Sequence, residues 1–160
     1  MEGGFNEGAL VEQMSFLRSE DLGNMLCRDL LELRRALDGG LVKASMLLCG
    51  SVLETILFDV VGRRAAVAQS YRQKKKFPDG FSLLDLIEVA VEEGLVTESV
   101  GHMAACVTDH RDLIHPEAER RRYTKIDPER AGAMAAFLKV IIKDLGDAHA
   151  DGRIAAYEAK

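Results

Sequence analysis

Residues Leu41 to Val61, LVKASMLLCGSVLETILFDVV, decide the fold of this 160-residue chain. The stretch is apolar on most sides of a 3.6-residue helix, the pattern of a helix surrounded by neighbours rather than one half-bathed in water. It is long enough to be mistaken for a membrane span, yet it carries Lys43, Glu54 and Asp59, and ionisable groups in a span are expensive. The spacing therefore predicts the central helix of a bundle, running from Leu41 to about Tyr71, and no membrane association. Gly39-Gly40, just before it, closes the preceding helix, because glycine adopts helix-ending left-handed conformations at little cost.

Working outward, apolar residues recur at helical spacing almost everywhere, and no stretch shows the alternation and turn pairs of strands. The reading is all-α: a single-domain helical bundle of five to six helices over residues 1–146, followed by a flexible tail over 147–160. Leu10, Met14 and Leu17 predict a first helix near Glu7 to Arg18, and Leu22, Leu26, Leu30 and Leu33 a second from about Glu20 to Leu37. Pro78-Asp79-Gly80 breaks the pattern after the central helix. Ser82 with Asp85 forms a capping-box signature for a helix from Leu83 to Glu93, which Gly94 ends. Thr97 is placed as the cap of a helix reaching Ile114 or His115. A charged link from Glu117 to Ile126 leads to Asp127-Pro128, an N-cap followed by proline at the first helical position. The last helix, Glu129 to Leu145, puts Met134, Phe137, Leu138, Ile141 and Ile142 on one side.

Composition bounds the function. A chain of this size buries a core without covalent staples. Its three cysteines, Cys27, Cys49 and Cys106, sit inside helix-patterned apolar stretches, which reads as reduced thiols in a cytoplasmic protein. Residues 1–8 are acidic and glycine-rich, unlike a secretory leader. The net charge of −5 argues against a protein coated in cations for duplex DNA. Charge is uneven, however: between Gly62 and Phe77 stand Arg63, Arg64, Arg72, Lys74, Lys75 and Lys76 with no acidic residue.

The residues suited to chemistry gather at Arg111-Asp112-Leu113-Ile114-His115-Pro116. Positions four apart lie about 40° apart around a helix, so Arg111 and His115 share a face and can converge on one phosphate. Proline drives the preceding residue out of the α region, placing His115 at the helix end, where free carbonyls favour its protonated form. On the wheel, Met103, Val107 and Ile114 define the buried stripe, Cys106 and Leu113 extend it, and Arg111 and His115 sit at the opposite margin. Glu54 shares a side of the central helix with Leu47, Phe58 and Val61, so it is expected to be largely buried and paired with a cation. Arg111 is the preferred partner, because a guanidinium takes a carboxylate on one edge and a phosphate on another. The plainer alternative stays open: a surface arginine, a histidine capping a helix end, and a structural glutamate.

The run from Thr108 to Pro116, TDHRDLIHP, resembles the motif ending of the HEPN superfamily, small helical domains that include metal-independent ribonucleases. Leu48 to Leu57, LCGSVLETIL, is similar to their small-residue-then-Leu-Glu helix. Phe81 to Glu88, FSLLDLIE, through Glu93 to Val96, EGLV, resembles the segment preceding their motif helix. The resemblance spans roughly residues 25 to 145 of one domain. It implies a catalytic set of Arg111, His115 and Glu54. His115 would move a proton at a ribose 2′-hydroxyl or the leaving oxygen, Arg111 would stabilise the pentacovalent phosphate, and no cofactor or metal would take part. It also implies a homodimer in which two motifs meet, RNA or a nucleotide as ligand, and a cognate antitoxin or defence partner protein. The gap of three residues between Arg111 and His115 is shorter than in the nucleases, and Asp112 stands where they often have Asn. A non-catalytic interaction or dimerisation module is therefore the second implied reading.

Two basic stretches complete the candidate RNA surface. Arg72, Lys74, Lys75 and Lys76, flanked by Tyr71 and Phe77, suit a phosphate backbone with a stacked base, although charge runs at helix ends are commonly just solvated. Arg120, Arg121 and Arg122 follow the motif but are diluted by Glu117, Glu119 and Asp127. His102, Cys106 and His110 form a ridge about 12 Å long, too extended for one ion, so no metal is assigned.

Overall fold

The structure, a computed structural model, describes residues 12–63, 81–104, 111–121 and 126–154, with only the backbone of residues 111 and 112. Among the described residues all regular structure is helical, and the segments follow in order as α1 (Glu20–Asp38), α2 (Val42–Gly62), α3 (Leu83–Glu92), α4 (Glu98–Met103), α5 (Arg111–Ile114), α6 (Pro116–Arg121) and α7 (Pro128–Ala150). The chain is an all-α bundle with α2 at its centre, packed on α1, α3 and α7, with α5 also against it.

Local chemistry sets the ends of these helices. Ser19 starts α1 by accepting the Leu22 amide at 3.2 Å, with Glu20 and Asp21 at the positive end of the helix dipole. Gly40, at φ 68°, ends it in the left-handed region, and the Leu41 amide returns to the Ala36 carbonyl at 2.8 Å. The α1 stripe buries Leu26, Leu30 and Leu33. Ser82 and Asp85 complete the expected capping box on α3, with the Asp85 amide 3.2 Å from Ser82 Oγ and the Ser82 amide 2.8 Å from Asp85 Oδ2.

The α2 helix is long and apolar enough to cross a membrane by length and composition, but 61% of its most apolar stretch is buried inside the bundle. It buries Met46, Cys49, Val52, Leu53, Ile56, Leu57, Val60 and Val61 over about half of its circumference, while Leu47, Leu48, Ser51, Glu54, Thr55 and Phe58 on the other side are half-buried. Ser45, also buried, satisfies its hydroxyl on the Leu41 carbonyl at 2.9 Å. Helix α2 ends at Gly62. Its expected continuation toward Tyr71 and the Pro78-Asp79-Gly80 break lie outside the described residues.

Three expectations need correction. Residues 14–18 form turns and bends after helical Glu12 and Gln13, the first of the described residues, rather than a helix continuing to Arg18. Met14, Phe16 and Leu17 are all buried, and one straight helix would set Phe16 about 160° away from Met14. The turn brings all three inward. The charged link after the motif contains α6, which Pro116 starts. Finally, α7 continues through Gly146 to Ala150; Gly152 at φ 75° turns the chain, the Arg153 amide bonds the Ala148 carbonyl, and Ile154 is 4% exposed. Residues 147–154 thus belong to the bundle and are not a flexible tail, because Ala148 and Ile154 supply apolar contacts that a tail would lack. Asp127, as expected, caps α7 by accepting the Arg130 amide at 2.7 Å.

Candidate functional site

The motif region is built from short pieces rather than from one helix. Helix α4 ends at Met103, residues 105–110 lie outside the described residues, and α5 covers only Arg111–Ile114. Thr97 sits at the N-cap of α4, yet its hydroxyl does not cap that helix. Its amide and its Oγ1 both donate to Asp144 Oδ2, at 2.9 and 2.8 Å, which ties the start of α4 to α7.

At the other end, α5 stops at Ile114 and Pro116 opens α6. His115 is the exposed hinge between them, and its carbonyl accepts the Glu119 amide at 3.0 Å. Proline explains both halves of this geometry: it excludes His115 from α5 and is favoured at the first position of α6. The side chain of Arg111 lies outside the described residues, and its backbone stands one turn before His115.

The expected wheel is out of phase with the structure. Leu113 is the buried residue of α5, at 1% exposure, whereas Ile114 is 55% exposed and Met103 is exposed as well. A wheel over this stretch requires one continuous helix, whereas α4 ends at Met103, and Leu113 is the α5 residue that enters the core. Met103 before the motif and Ile114 within it therefore both reach solvent.

Helix α6 is anchored to the start of α2 by Lys43 Nζ and Glu119 Oε2 at 2.5 Å. Of the arginines expected to bind nucleic acid, Arg120 and Arg121 both turn onto Glu117: Arg120 Nη2 lies 2.7 Å and Arg121 Nε 2.9 Å from Glu117 Oε1. The Arg120 and Arg121 hydrogen bonds hold the Glu117 carboxyl below its ordinary range. Both guanidiniums keep their other edges in solvent. Arg122, Arg72, Lys74, Lys75 and Lys76 lie outside the described residues.

Glu54 is half-buried rather than largely buried, and it has an interaction of its own. It lines a cleft at the C-terminal half of α2 together with Arg18, Thr55, Phe58 and Asp59. Asp59, in sequence no more than a charge unsuited to a membrane span, is part of a buried cluster. Its carboxylate is 7% exposed, accepts the Arg18 amide at Oδ2 (3.0 Å), lies 3.3 Å from Arg18 Nε, and pairs with Arg63. The i, i+4 spacing of Asp59 and Arg63 was a visible signal for half of this cluster; the link to Arg18 is a tertiary one.

His102 is exposed, and Cys106 and His110 lie outside the described residues. Among the described residues no three His, Cys, Asp or Glu side chains gather to hold a metal. Cys27 and Cys49 are buried free thiols, and burial pushes Cys49 up to about 12. No family model, curated protein or solved structure matches the chain.

Proposed function

We propose that this chain is an HEPN-like domain that acts on RNA, with His115 and Arg111 as the reacting pair of a metal-independent endoribonuclease. The observation that carries the reading is the helix break at His115-Pro116. It leaves an imidazole exposed at a fixed bend, one turn beyond an arginine, beside a hydrophobic anchor at Leu113. A general acid/base needs that combination of solvent access and fixed backbone. In the proposed reaction His115 takes the ribose 2′-hydroxyl proton, the oxygen attacks the adjacent phosphorus, and Arg111 stabilises the charge on the phosphorane. The leaving 5′-oxygen then needs a proton from a second acid.

A second copy of the chain supplies that acid. Exposed Ile114 within the motif, and exposed Met103 at the end of α4, give a homodimer apolar surface. The buried thiols of Cys27 and Cys49 fit a reducing, cytoplasmic setting. An RNA-cleaving module needs restraint, so a cognate antitoxin or defence partner belongs to the proposal.

One set of contacts favours the alternative, a non-catalytic interaction module. Glu117 occupies Arg120 and Arg121, and the His115 carbonyl serves as a helix cap. Incubating the purified chain with mixed RNA in chelator separates the readings: cleavage supports the enzyme, and intact RNA supports the module.

A further inference from the structure

A cleft of about 630 Å³ lies where the turn at residues 14–18 and the start of α1 meet the C-terminal half of α2. Its size falls within the range of small-molecule sites, and His115 is not among its lining residues. Arg18 is the cation among its lining residues. Buried Asp59 holds this arginine at two points, the backbone amide at 3.0 Å and Nε at 3.3 Å, while the side chain remains half exposed. Among the described residues the terminal nitrogens of Arg18 donate no hydrogen bond. An arginine anchored through Nε presents its outer Nη edge as a preorganised fork for a two-oxygen anion. Little further ordering is needed when a ligand arrives.

The walls define the rest of the ligand. Phe58 and Leu22 supply apolar surface, and the Ser51 hydroxyl, with no hydrogen-bond partner among the described residues, supplies a donor. The Thr55 hydroxyl turns back to the Ser51 carbonyl at 2.8 Å and leaves that wall smooth. Asp59 already engages the Nε side of Arg18, so the outer edge of this one guanidinium is left for a single carboxylate. We propose that this cleft binds a small organic monoanion: one carboxylate on an apolar or aromatic body, the carboxylate on the outer edge of Arg18 and the body against Phe58 and Leu22.

Titration calorimetry of the full chain with 3-phenylpropionate, acetate and ATP tests the assignment. Phenylpropionate should bind at least about tenfold more tightly than acetate, which lacks the body, and ATP should bind more weakly than phenylpropionate. Arg18→Gln should weaken phenylpropionate about tenfold or more. Because that change also alters the contact with Asp59, Ser51→Leu provides a second variant: it fills the cleft from its wall, leaves the Arg18–Asp59 pair in place, and should abolish binding with the native far-UV spectrum retained. His115→Ala should change nothing, which separates this site from the proposed RNA chemistry. The assignment is overturned if phenylpropionate does not bind, if ATP binds more tightly than it does, or if Ser51→Leu leaves its affinity intact.

Discussion

At the scale of single residues, Asp59 shows how a buried charge becomes tolerable. It accepts from a backbone amide and pairs with two arginines, one of them largely buried Arg63. Removing the carboxylate would leave Arg63 without it in a poorly hydrated place. Asp59→Ala should therefore destabilise the chain by about 2 kcal/mol, below the full cost of breaking a buried pair because Arg18 is half in water, and urea unfolding measures it. Cys49 gives a second prediction. Its thiol is raised from 9.0 to about 12 by burial, so between those values the unfolded chain releases a proton that the folded chain retains. The contribution to stability is complete below pH 9 and is lost as pH rises toward 12. Iodoacetamide at pH 9 should accordingly label Cys49 slowly in the native protein and quickly in urea. The Arg63 half of the Asp59 cluster is legible from its i, i+4 spacing, but the Arg18 half and the place beside the cleft are not, since Arg18 lies 41 positions from Asp59 and nothing local links them.

Among the elements, those with strong local chemistry were legible and those fixed by tertiary contacts were not. The Gly40 stop, the Ser82 and Asp85 capping box and the Asp127-Pro128 start all form as their residue types dictate. So do the α7 positions Met134, Phe137, Leu138, Ile141 and Ile142, all of them buried. The turn at residues 14–18 was not legible, because three adjacent apolar side chains satisfy the core only off the helical path. Nor was the role of Thr97. Its side chain is a good N-cap by type, but Asp144 on α7 outcompetes the backbone of its own helix for the hydroxyl. Asp144→Ala should loosen α4 by about 1 kcal/mol, seen as faster hydrogen exchange over Thr97–Met103 with α7 protection unchanged. The helix end beside His115 was legible, with α5 stopping at Ile114. The exposed face of Ile114 was not, because the wheel required an unbroken helix from Thr97 that the chain does not form.

For the whole molecule, the central-helix architecture follows from α2 being apolar on most sides: α1, α3 and α7 pack against it and bury about half of its circumference, and Leu47, Leu48 and Phe58 on the other side are half-buried. The surface around the motif carries the proposal of a homodimer. Light scattering at high micromolar concentration should show a dimer, and Ile114→Asp should shift it toward monomer without lowering helicity, because Ile114 is 55% exposed in the single chain. The proposed RNA chemistry is the central claim, and its most direct measurement is cleavage of a mixed RNA substrate in EDTA by the wild type, Arg111→Ala and His115→Ala, with thermal melting recorded alongside. The account predicts cleavage by the wild type, loss of cleavage in each variant, and little change in melting for His115→Ala, whose side chain is exposed. Intact RNA with all three proteins, or cleavage that survives both substitutions, would contradict it.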